Sequence, residues 1–187
     1  MLIIDNYDSF TYNIVQYMQI LGISPVIIKN DEYTLSGIKK MNFSKILLSP
    51  GWGNPHNAGV TMEVIDFYHD KLPVLGVCLG MQCIAKYFGG EIVQAPEPCH
   101  GKISEIYFDK GFQLFKGFEQ GFEATRYHSL MISNLPQEYI KARTKDNIPM
   151  AIQIGNKPIF GVQFHPEAIL TKNGINIFKN WIEACNN

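Results

Sequence analysis

Two glycines flank a cysteine in the stretch Gly76-Val77-Cys78-Leu79-Gly80. The spacing is that of the G-x-S-x-G elbow, with sulfur in place of oxygen. Side chains at the flanking positions would collide where a strand crosses into a helix, so glycine suits both. An elbow exposes its nucleophile at the edge of a sheet and beside a helix N-terminus, whose dipole favours a thiolate. The Leu79 N–H would then point where an oxyanion forms. Gln82, four residues beyond Cys78, falls one helical turn on along the same face. The plain alternative is a strand–helix turn carrying a buried structural cysteine.

A thiol nucleophile needs a base that can take and return a proton. The stretch Gly161-Val162-Gln163-Phe164-His165-Pro166-Glu167 offers one in His165, since imidazole ordinarily titrates at about 6.5. It closes a strand candidate, as the cysteine does. Glu167 stands two residues on, across a rigid proline. In an extended segment the two would share one face, so the carboxylate could hold the imidazole tautomer. Taken alone, His165 reads better as a structural histidine; paired with Glu167 at a strand end and matched with an elbow cysteine, it reads as functional. The turn Ser49-Pro50-Gly51-Trp52-Gly53 is a third element. Its glycines permit positive φ and close backbone approach to a ligand, and their N–H groups could complete an oxyanion hole. In isolation it reads better as a solvent-exposed turn.

The elements that must position these groups alternate in type. Leu2–Ile4 is a strand candidate, and Ser9 is a candidate cap for a helix that Gly22 ends. A strand at Pro25–Ile28, a short helix at Thr34–Met41 and a strand at Ile46–Ser49 follow. A helix at Val60–His69, a strand at Pro73–Val77 and a helix at Leu79–Phe88 come next. Such alternation predicts a parallel sheet covered on both faces. The second half reads differently, with strand-like segments at Lys102–Phe108, Phe122–His128, Tyr139–Thr144, Met150–Ile154 and Ile159–Phe164, for which antiparallel pairing is expected. A helix over Thr171–Cys185 closes the chain. The expected fold class is therefore α/β, and functional groups belong at the carboxyl ends of the strands.

The 187 residues, 46% of them apolar and 18% charged, fit one globular domain spanning 1–187. A net charge of -1 argues against a nucleic-acid partner. No apolar run is long enough to span a bilayer, and the start MLIIDNYDSF has no basic leader or cleavage site, so no membrane association and a cytoplasmic location are expected. Cys78, Cys83, Cys99 and Cys185 form no C-x-x-C pair, so reduced thiols are expected rather than a disulfide framework. The five histidines show no metal-ligand spacing, and the adjacent Cys99-His100 pair alone does not make a metal site.

In this order, the three pieces resemble the glutamine amidotransferases that carry a Cys-His-Glu triad. The stretches DNYDSFTYN, SPGWGNPHNAG, GVCLGMQ, HGK at His100–Lys102, ATRYHSL at Ala124–Leu130 and GVQFHPE extend the likeness over most of the chain. They resemble the glutaminase subunits of anthranilate and aminodeoxychorismate synthases in particular. The resemblance implies Cys78 as nucleophile, His165 as base and acid, and Glu167 as its orienter. It places Gly51, Trp52 and Gly53 at the glutamine-binding and oxyanion turn, Leu79 at the oxyanion, and Gln82 against the glutamine. Ser129 and Leu130 would hold the amino-acid end, largely through backbone groups. It further implies three layers, with a mostly parallel central sheet, helices on both faces and a small antiparallel sheet. The implied substrate is L-glutamine, and the implied partner is a chorismate-binding synthase subunit. No cofactor is implied for this chain, any magnesium belonging to the partner. Two positions depart from the pattern: Trp52 stands where proline is usual, and Met81 where histidine is common in this branch. Trp52 regains an N–H that proline lacks and sets a large ring at the rim, suited to a subunit interface. A γ-glutamyl thiol hydrolase needing no partner, and a non-catalytic regulatory subunit on the same scaffold, are the competing readings.

Overall fold

In the computed structural model, which describes residues 1–185 and so leaves the last two positions of the expected 1–187 domain outside the described residues, alternation along the first strand sets the layers. In β1 (Leu2–Asn6), Leu2 and Ile4 enter one apolar cluster and Ile3 the other, as a two-residue side-chain period requires. Helices α1 (Thr11–Ile20) and α5 (Ile175–Ala184) cover the Ile3 face with Ile14, Met18, Phe178 and Trp181. On the opposite face lie α2 (Leu35–Ile38), α3 (Thr61–Tyr68) and α4 (Leu79–Tyr87), through Ile38, Val64, Ile65, Met81 and Ile84. Phe178 and Trp181 are fully buried, each worth about 2–3 kcal/mol of apolar burial.

Strands β2 (Val26–Lys29), β3 (Ile46–Gly51), β4 (Val74–Val77) and β9 (Ile159–Val162) join β1 in parallel. Strands β5 (Glu91–Phe108), β6 (Phe122–Ser133), β7 (Ile140–Thr144) and β8 (Pro149–Gln153) pair antiparallel. Because β9 pairs with β4 on one side and β8 on the other, the antiparallel part is continuous with the parallel part. The result is one nine-stranded mixed sheet, ordered β2-β1-β3-β4-β9-β8-β7-β5-β6. Among the described residues, no helix is long and apolar enough to cross a membrane.

Several local expectations shift for physical reasons. Ser9 does not cap α1; the Asp8 carboxylate accepts the Phe10 N–H at 2.8 Å instead. Gly22 does end that helix, at φ +80, in a Schellman arrangement in which its own N–H donates to Gln19 and that of Ile23 to Met18. The final helix starts at Ile175 rather than Thr171, because Asn173 adopts φ 59 and Gly174 runs against the Pro166 backbone. The largest difference is β5, which begins at Glu91 rather than Lys102. Pro96 and Pro98 make that stretch read as a loop; they fall in the interrupted register between the Gln94–Leu130 and Cys99–His128 pairs, where ladder donors are not needed.

Candidate active site

The carboxyl end of β1 is fastened to its neighbours by side chains. Asn6, ending β1, donates its backbone N–H to Ser49 Oγ at 2.8 Å and its side-chain amide to Ser49 O at 3.0 Å. Its own Oδ1 accepts from Asn30 and Thr61. Asp5 accepts from the Tyr7 N–H and the Thr11 hydroxyl and pairs with Lys29. The DNYDSFT stretch thus anchors the loops around the site. Gly51 is a packing requirement: a Cβ there would sit 2.5 Å from Asn6 Cβ.

Cys78 occupies the turn between β4 and α4 with φ 52 and ψ -104, a region that residues with a side chain rarely adopt. The flanking glycines allow the crossing. A Cβ at Gly76 would lie 2.3 Å from the Gly80 backbone, and one at Gly80 would lie 2.3 Å from Leu48 O. Cys78 is only 6% exposed, so the elbow is buried rather than displayed, yet it lines a cleft of about 320 Å³.

His165 lies beyond the end of β9. Its backbone N–H donates to Thr125 O at 2.9 Å, and its carbonyl accepts from the Thr171 hydroxyl at 2.8 Å. Nδ1 meets Glu167 Oε1 at 2.6 Å, with both side chains buried. A turn makes this pairing, since the Ala168 N–H folds back to His165 O at 3.2 Å; it is not the extended strand geometry that the i, i+2 argument assumed. Burial disfavours a charged ring, but the Glu167 carboxylate and the Cys78 sulfur outweigh it and hold the His165 pKa well above the ordinary 6.5. Nε2 is buried and makes no hydrogen bond, and Cys78 acts on the ring electrostatically. The rings of Phe10 and Tyr127 stand edge-on to the imidazole, at centroid distances of 5.6 and 5.3 Å.

The remaining residues predicted from sequence converge on the same cleft. Gly51, Trp52 and Gly53 line one wall with Leu79 and Gln82, and Ser129 with Leu130 form another. Glu167 stands behind His165. Trp52 is 80% exposed at the mouth. Met81 is fully buried against Gly161, away from the cleft. The spacing arguments omit Asp8, Phe10, His100, Tyr127 and His128, which also line the cleft; all sit inside the quoted DNYDSFTYN, HGK and ATRYHSL stretches. Gln163 is likewise missing from them, although its amide reaches Cys78 Sγ at 3.6 Å. Among the described residues, no group of three or more His, Cys, Asp or Glu side chains is arranged to hold a metal ion.

His128 differs sharply from His165. Burial, and after it the neighbouring Arg126 cation, push its pKa down to about 4. It stays neutral, with Nδ1 bonded to Leu130 O at 2.8 Å and Nε2 accepting from Arg126 Nε at 3.0 Å. The wall is shaped by a bulge in β5, where Gly101 at φ +71 is the extra residue between the His100–Tyr127 and Lys102–Arg126 pairs.

A thiol at a helix N-terminus, an imidazole and a buried carboxylate in sequence can carry acyl transfer through a thioester. The chain belongs to the class-I glutamine amidotransferases, whose family description it matches over residues 2–185. Within that class it is 45% identical, over 98% of its length and 95% of the relative's, to the aminodeoxychorismate/anthranilate synthase component 2 of Bacillus subtilis. It is 41% identical to the anthranilate synthase component 2 of Thermus thermophilus, over 97% of this chain and 91% of that one. The crystal structure of a putative GMP synthase subunit from Thermoplasma acidophilum superimposes with a TM-score of 0.87 at 27% identity, covering 99% of this chain and 92% of that one.

Proposed function

We propose that this chain is the glutamine-hydrolysing subunit of a synthase that uses chorismate, with Cys78, His165 and Glu167 as its triad. The observation that carries the reading is the meeting of a positive-φ cysteine at the N-terminus of α4 with an imidazole tied to a carboxylate at 2.6 Å. The component 2 relatives support the choice of synthase.

In this scheme the Cys78 thiolate attacks the side-chain amide carbon of L-glutamine. Backbone donors at Leu79 and the Gly51–Gly53 turn hold the oxyanion; such donors are typically worth ~2.7–4 kcal/mol each. The raised pKa of His165 suits it to give a proton to the departing nitrogen. Ammonia leaves, the γ-glutamyl thioester stays on Cys78, and water activated by His165 releases glutamate. Gln82 spends its amide hydrogens on Leu130 O and Gln163 Oε1, which leaves its oxygen to accept from the substrate ammonium. These side chains suffice without a cofactor, any magnesium belonging to the partner.

Free ammonia is protonated in neutral water and loses its nucleophilicity, so a synthase subunit docked over the cleft would receive it directly. Trp52 and Ile169, 80% and 93% exposed, supply apolar anchors for such a surface. The test is Cys78→Ala in the reconstituted complex. Glutamine-dependent synthesis should vanish while ammonium-supported synthesis persists; loss of both would make Cys78 structural. Glutamate release should also rise when the partner is added, and equal rates would count against coupling.

A further inference from the structure

The direction of a buried hydrogen-bond chain can be read from its ends when each end admits one role. Arg126 is a pure donor, and its Nε–H meets His128 Nε2 at 3.0 Å. His128 must then carry its proton on Nδ1, which donates to Leu130 O at 2.8 Å. That carbonyl, a pure acceptor, also takes Gln82 Nε2 at 3.2 Å. The same Gln82 nitrogen donates to Gln163 Oε1 at 3.1 Å. Gln163 is therefore left with its own NH2 group turned to Cys78 Sγ, at 3.6 Å. The orientation of both amides follows from obligatory groups, not from a choice between look-alike atoms.

Gln163 cannot easily swing away. It is fully buried, and its backbone N–H is bonded to Met150 O at 2.9 Å. An amide donor fixed in a dry site bonds an anionic acceptor more strongly than a neutral one. The bond is therefore stronger to an anionic sulfur than to the thioester sulfur, which is a poorer acceptor.

We infer that Gln163 is a dedicated donor to the Cys78 sulfur, holding the thiolate in its attacking direction and receiving it again when the thioester is cleaved. In that cleavage water gives a proton to His165 and adds to the thioester carbonyl, the C–S bond breaks, and its electron pair returns to sulfur under the Gln163 N–H. The role differs from the oxyanion donors, which serve the carbonyl oxygen. It rests on Cys78 being the nucleophile proposed above.

The test is Gln163→Met, which keeps the length and bulk of the side chain but removes the donor. The readout is the rate of Cys78 alkylation by iodoacetamide across pH, followed on the Cys78 peptide by mass spectrometry so that Cys83, Cys99 and Cys185 do not interfere. The expected result is a roughly tenfold slower reaction on the acid side, converging with the wild type at high pH, and a lower kcat for glutamine hydrolysis with KM nearly unchanged. A merely structural residue would slow alkylation equally at every pH, and that outcome, or superimposable profiles, overturns the assignment. Should Gln163→Met fail to fold, the Gln163 side-chain amide resonance is followed in wild type and Cys78→Ala. A shift on loss of the sulfur supports the bond, and an unmoved resonance overturns it. If Cys78→Ala keeps its hydrolysis, the nucleophile itself fails. If Cys78→Ala is inactive while the Gln163→Met profile overlays the wild type, only the donor assignment fails.

Discussion

Two histidines face the same cleft from opposite halves of the sheet and titrate in opposite directions. His165, after the parallel strand β9, is 2% exposed, and His128, in the antiparallel strand β6, is 5% exposed. Burial pushes both pKa values down. His165 has a carboxylate and a thiol beside it and ends well above 6.5; His128 has an arginine and ends near 4. Equal burial therefore decides nothing by itself, and the sign of the neighbour does. The parallel half holds a ring built to carry charge, and the antiparallel half holds one built to stay neutral and orient a carbonyl.

The contrast extends to backbone tolerance, and the largest expected effect tests it there. Gly80→Ala would drive a Cβ to 2.3 Å from Leu48 O in the rigid parallel half. A loss of about 3 kcal/mol is expected, seen as a fall of roughly 10 °C in melting temperature. Gly101→Ala, in the bulged ribbon, meets only the movable Tyr127 ring at 3.3 Å, with φ +71. It should cost about 1 kcal/mol. Equal losses would erase the distinction.

Next in size is Glu167→Gln, which removes the charge that lifts the His165 pKa. With only the Cys78 sulfur left to oppose burial, the His165 pKa should fall, and kcat/KM for glutamine hydrolysis should drop by about a hundredfold. The sign for stability is definite. The folded pKa is raised, so the His165–Glu167 pair contributes fully below about 6.5 and its contribution fades as pH rises through the raised value. Stability curves against pH should lose that alkaline decline in the variant.

A smaller effect than at Glu167 is expected at His128, with the opposite sign. Its folded pKa is lowered to about 4, so the unfolded chain takes up the proton first. Stability is retained above pH 6.5 and falls on acidification toward 4, by roughly 2 kcal/mol at pH 5. In His128→Gln the acid-side slope of denaturant-derived stability should flatten, while KM for glutamine rises several-fold as Leu130 loses one of its two tethers.

What was legible in the chain follows the same division. The parallel half announces itself through local signals: apolar runs, the elbow glycines, and a histidine and glutamate across one proline. Cys78, His165 and Glu167 could be paired because each sits in a short stretch with its own steric or chemical reason. The antiparallel half depends on register between distant segments. Pro96 and Pro98 hid the first part of β5, and the bulge at Gly101 could not be placed before the His100–Tyr127 pairing was known. Gln163 was in plain view between Val162 and Phe164. Its bond to a sulfur 85 positions away has no local signature, because the orientation of its amide is inherited from Gln82, Leu130 and beyond.

The left-handed backbone at Cys78 sets chemistry against endurance. A side chain held there stores strain of about 1–3 kcal/mol, which glycine at the same position would relieve. On the role proposed for Cys78, the most durable form of this scaffold is therefore one that has given up its nucleophile.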